Sequence, residues 1–127
     1  PGISEITTET SINGYGTKAK AQMIVSWSTD EPATSQVEYS KGGSGKNLEM
    51  VTQEDSSLTT IHAVVISDLE PSNSYYFRII TKDNSRNEAK SEINSALTDQ
   101  IRLSVFDIIL KAFESTFDWL FGAESLK

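Results

Sequence analysis

The fold this sequence predicts is an antiparallel β-sandwich of seven short strands, followed by a C-terminal amphipathic α-helix. Three observations lead there. The first 99 residues are rich in Ser, Thr and β-branched side chains, as pleated, half-buried strands require. Apolar residues alternate with polar ones in short runs, and turn-forming residues break these about every ten positions. From Gln100 onward the pattern changes: 15 of 28 residues are apolar, and four of the five phenylalanines fall there at helical spacing. At 127 residues the chain suits one domain, residues 1–98, with residues 99–127 as a helical appendage.

The strands follow in order. Ile3 to Thr7 is the first. Ala21 to Ser28 is the second, with Ala21, Met23, Val25 and Trp27 on one face. Gln36 to Ser40 turns Val37 and Tyr39 inward, and Leu48 to Thr52 is a short, weak strand. Ile61 to Ser67 places His62, Val64 and Ile66 together, and Tyr75 to Asp83 does the same for Tyr75, Phe77 and Ile79. Glu88 to Thr98 is the last. Each sheet of such strands buries one face, so the two must pack against each other.

Composition excludes several functions. Eighteen acidic and eleven basic residues give a net charge of −7, which repels a phosphate backbone and argues against nucleic-acid binding. Cysteine is absent, which removes disulfides, thiolate zinc sites and cysteine nucleophiles but leaves the compartment open. No signal peptide begins the chain, so Pro1 reads as a boundary left by processing or expression. A single histidine is a poor start for most catalytic designs.

The run from Leu69 reads Leu-Glu-Pro-Ser-Asn-Ser-Tyr-Tyr-Phe-Arg-Ile. It resembles the fibronectin type III domain, an immunoglobulin-like sandwich, at the crossing between its fifth and sixth strands. The physical reason for the spacing is a tyrosine corner, in which the Tyr75 ring fills the core edge and its hydroxyl bonds back to the backbone near Leu69 to Pro71. Trp27, Tyr39 and Phe77 fall where that family has its hallmarks, and the segment Trp27 to Tyr39 looks like modules strung along microbial surface proteins. The small N-terminal domain of purple acid phosphatases is a more distant likeness. Many fibronectin relatives carry Gly where Arg86 stands in the following hairpin loop. The integrin-binding Arg-Gly-Asp of animal members is replaced here by Asn84-Ser85-Arg86-Asn87, so that activity is not implied.

Candidate sites are few. His62 shares a strand face with Val64 and Ile66 and has no ligand or carboxylate at useful spacing, which suits a packed histidine rather than a base or a metal ligand. Gly42 to Lys46 is not a phosphate loop, because Ser40 and Asn47 stand where its pattern fails, and it reads as a flexible connection. The pairs Asp30-Glu31 and Glu54-Asp55 lack calcium-loop spacing and read as solvated acidic loops. Tyr15 and Tyr76 are the candidates for stacking a sugar. No Asn-x-Ser/Thr sequon occurs. No catalytic residue, cofactor or metal is expected.

In the tail, Ser104 and Asp107 form the outline of a capping box, helix runs from Val105 to Phe121, and Gly122 supplies the C-cap. Phe106, Ile109, Leu110, Phe113, Phe117, Leu120 and Phe121 make one apolar stripe. An exposed stripe of that size must be covered by the sandwich, by copies of itself or a partner helix, or by a membrane. Spanning is disfavoured by length and by four charged residues, and the acidic polar face is repelled by anionic lipid. The expectation is a non-enzymatic extracellular or cell-surface module whose helix serves self-association or contact with a neighbouring protein. The rival expectation is an accessory domain, carbohydrate-binding or spacing, of a secreted hydrolase.

Overall fold

The computed structural model describes residues 1–42 and 47–101. Its order is β1 (Ile3–Asn13), a 3-10 turn (Gly16–Lys18), β2 (Lys20–Lys41), β3 (Met50–Val51), β4 (Asp55–Leu69), β5 (Ser74–Lys82), β6 (Glu88–Lys90) and β7 (Asn94–Leu97). All pairings are antiparallel. The all-β expectation therefore holds. The predicted helix from Val105 to Phe121, with its stripe Phe106, Ile109, Leu110, Phe113, Phe117, Leu120 and Phe121, lies outside the described residues, as does most of the Gly42 to Lys46 connection.

The two expected strands Ala21–Ser28 and Gln36–Ser40 are one continuous strand. The first half of β2 pairs with β1 and β4, and its second half pairs with β5 and β3, so β2 passes from one sheet to the other. The crossing falls at Thr29–Ser35, where the register with β4 shifts twice. Pro32 sits in this stretch, where its missing N–H costs no regular ladder bond. The Thr29 hydroxyl donates to the Glu31 carbonyl at 2.7 Å and steadies the bend.

The last expected strand is broken in two. Ser91 interrupts it, its hydroxyl accepting from the Ile79 N–H at 2.9 Å in place of a backbone carbonyl. β6 and β7 then pair separately with the two ends of β5. The weak strand over 48–52 shrinks to Met50–Val51, and Thr52 takes over with its N–H donating to the Val37 carbonyl at 2.9 Å.

The core lies between the layers and is built by the period-2 faces. Ala21, Met23, Val25 and Trp27 from β2, with Ile66 and Leu69 from β4, meet Val37 from β2 and Tyr75, Phe77 and Ile79 from β5. Tyr39 and Val64 pack against this cluster half-buried.

Candidate functional site

The tyrosine corner is in place. Tyr75 is buried, and its hydroxyl accepts a hydrogen bond from the Glu70 N–H at 2.8 Å. Leu69 is buried beside it, while Pro71 begins a turn that Ser72 completes at φ 57°. A second knot, marked by no motif, is made by Thr98. Its buried hydroxyl donates to the Glu70 carbonyl at 2.6 Å and accepts from the Asn73 N–H at 3.0 Å. The last strand is thereby tied to the same corner, with the Thr98 N–H donating to the Asn73 carbonyl at 2.9 Å.

His62 is the one imidazole of the chain, and it is 2% exposed. Its ring stacks on Trp27 with centroids 4.8 Å apart and planes within 3°. The stack follows from the cross-strand pair Trp27–His62. Nε2 lies 2.9 Å from the Thr29 hydroxyl and Nδ1 lies 2.6 Å from the Ser35 hydroxyl. Because Thr29 already donates its proton to the Glu31 carbonyl, it accepts from Nε2–H, and Nδ1 accepts from Ser35; this network assigns the neutral Nε2–H tautomer. Burial holds the His62 pKa below its ordinary value, and the nearby Asp55 carboxylate opposes this in part. Nothing is left on the ring to take a proton from a substrate. Thr29 and Ser35 were not singled out by the sequence, because short hydroxylated residues between strands carry no periodic signal. The indole N–H of Trp27 is the one buried side-chain polar atom without a partner among the described residues.

The acidic pairs serve the fold. Asp30 accepts from the Gly2 N–H at 2.7 Å, and Asp55 accepts from the Ser57 N–H at 3.0 Å. Glu54 pairs with Lys82 at 3.9 Å and Arg86 at 3.4 Å. These contacts continue through Glu88, Lys90 and Glu38 to Arg78, a ladder of alternating charge on the β2–β5–β6 layer. Among the described residues no three His, Asp or Glu side chains converge as a metal would need.

The described residues line open depressions on the surface. One lies between Ile3 and Ile6 of β1 and Ala89 to Asn94, and another beside Glu31, Pro32, Leu58 and Asp83. The second brings two carboxylates to one depression, but both Asp83 oxygens are engaged. They accept from the Ser85 and Asn87 N–H groups and from the Asn87 amide, each at 2.9 Å, and these bonds lower the Asp83 pKa. Asp83 is a turn-former, not a proton carrier. In the same loop Arg86 takes φ 67°, adopting the left-handed conformation that a glycine would supply without strain. Of the possible sugar platforms, Tyr15 is 87% exposed in the β1–β2 hairpin, whereas Tyr76 is half-buried on β5.

Strand pairing, the Trp27 core position and the tyrosine corner define a sandwich of the fibronectin type III kind. Within that class, the sequence profile of the purple acid phosphatase N-terminal domain matches residues 10–98, most of the chain. The chain belongs to that family. No curated protein and no solved structure matches it.

Proposed function

We propose that this chain is a non-catalytic accessory domain of a secreted hydrolase, one that spaces or positions a catalytic domain through protein contact outside the cell. This favours the rival sequence expectation over the self-assembling surface module. The observation that carries it is the family match over residues 10–98, which begins within β1 and ends at Thr98 of the corner knot. A structural role also suits the chemistry of the side chains. His62 is consumed by Thr29 and Ser35, and the carboxylates Asp30, Asp55 and Asp83 cap local backbone. Spacing is favoured over sugar binding because Tyr15 lies in the loop between β1 and β2 while Tyr76 is half-buried on β5, so the two rings share no strand face.

The test has two arms. The whole chain, supplied with ferric and zinc ions, is assayed for release of p-nitrophenol from p-nitrophenyl phosphate, and no turnover above the metal blank is expected. Added to a purple acid phosphatase catalytic domain from the same organism, it is expected to raise that domain's melting temperature. Turnover by the chain alone overturns the non-catalytic reading, and no effect on the catalytic domain overturns the accessory one.

A further inference from the structure

Sheet edges expose unpaired backbone groups and invite another strand, so folded proteins interrupt, charge or shorten them. Three edges here carry such a device. β1 is broken by a bulge between Ser4 and Thr7, with Glu5 at φ 55°, and it bears Glu5 and Glu9. β3 is two residues long. The β6–β7 edge is split around Ser91 and carries Glu88 and Lys90.

β4 is different. It is 15 residues long, and among the described residues it pairs with β2 only. From Ser56 to Ser67 it contains no charged residue beyond the neutral His62, no proline and no glycine. Its pairing with β2 runs without a bulge from Ile61 to Ile66. Over that regular stretch its outward side presents Ile61 (78% exposed), Ala63 and Val65 (54% exposed). Ile24 of β2 lies beside Val65 on the same face.

We propose that the free edge of β4 pairs antiparallel with β4 of a second copy of this chain, about a two-fold axis through Ala63. The pattern is self-complementary in that register. Ile61 falls opposite the partner's Val65, Ala63 opposite the partner's Ala63, and the exposed apolar row becomes two β-branched cross-strand pairs. Charge fits as well: the regular stretch from Ile61 to Ile66 carries no carboxylate, and Asp55 and Asp68 both lie beyond it, so no carboxylate faces another across the axis. The two three-stranded layers β1–β2–β4 then join into one continuous sheet. This pairing is independent of the accessory role proposed above and of the apolar residues beyond Ile101.

The experiment is sedimentation equilibrium on the full chain and on Ala63→Lys and Ala63→Glu. Ala63 is exposed, so both variants keep the fold, which a thermal melt verifies. The expected result is a dimer for the unmodified chain and at least about tenfold weaker association for each variant, because like charges meet on the axis. A one-to-one mixture of the two variants restores the dimer through opposite charges. A monomeric unmodified chain, a dimer indifferent to Ala63→Lys, or a mixture that stays monomeric each overturns the proposal. The second of these assigns association to another surface, such as the segment after Ile101.

Discussion

Acid destabilises this fold through His62 before Asp55, Glu70 and Asp83 are protonated. The folded state keeps the ring neutral, with its pKa pushed down by burial, whereas the unfolded chain binds a proton near pH 6.5. The unfolded state therefore holds more protons as pH falls below that value, and stability drops with it. The contribution is fully present above pH 6.5 and is lost progressively down to the depressed folded pKa. Protonating the unfolded imidazole one unit below its pKa releases about 1.4 kcal/mol, so lowering pH from about 7.5 to 5.5 costs up to that amount. For a domain of this size it is about 5–10 °C in Tm. The window is clean. The chain has one histidine, and Asp55, Glu70 and Asp83, all held below their ordinary carboxylate values, contribute stability that is lost only at lower pH. The assay is urea unfolding at several pH values for the unmodified chain and for His62→Phe, which keeps a ring against Trp27 but cannot titrate. The variant is less stable above pH 6.5, because the Ser35 hydroxyl loses its acceptor, at about 1–3 kcal/mol, and the difference narrows as the unmodified chain loses stability in acid. Its slope against pH is flat across the window. A flat profile for the unmodified chain, or an equal slope in the variant, refutes the reasoning.

Two further perturbations test the corner and the hairpin. Tyr75→Phe removes the acceptor of the Glu70 N–H and costs about 1–3 kcal/mol by urea unfolding; a cost near zero would show that the corner bond is not a stabilising element. Arg86→Gly relieves the left-handed strain at φ 67° and gains about 1 kcal/mol, read as a higher Tm, since the exposed ion pair to Glu54 that it sacrifices is worth little. A lower Tm would mean that the Glu54 contact outweighs the strain.

The inward faces were legible because burial imposes a strict period of two. Met23, Val25, Trp27, Phe77 and Ile79 are buried where alternation placed them. Tyr75 was legible for a related reason, since its bond reaches only five residues back and local spacing encodes it. The boundaries were not. Fusion of two expected strands into β2 depends on which neighbours supply hydrogen bonds on either side of Pro32, and the break at Ser91 depends on a hydroxyl replacing a carbonyl across from Ile79. Arg86 illustrates the same limit: its side chain gave no sign of φ 67°, which the hydrogen bonds of Asp83 impose on the loop.

The sequence by itself determined the sandwich class, its buried faces and the corner, because these rest on periodicity and contacts short along the chain. Only the tertiary structure decided what the polar residues do. His62 became a sealed, neutral core group because Thr29, 33 positions before it, and Ser35, 27 before it, fold onto its two nitrogens. Thr98 became a clasp because it meets Glu70, 28 residues earlier. The edge of β4, unpaired among the described residues, likewise emerged only once its neighbours were known. An edge is defined by which strand is missing beside it, and no local pattern of side chains records that.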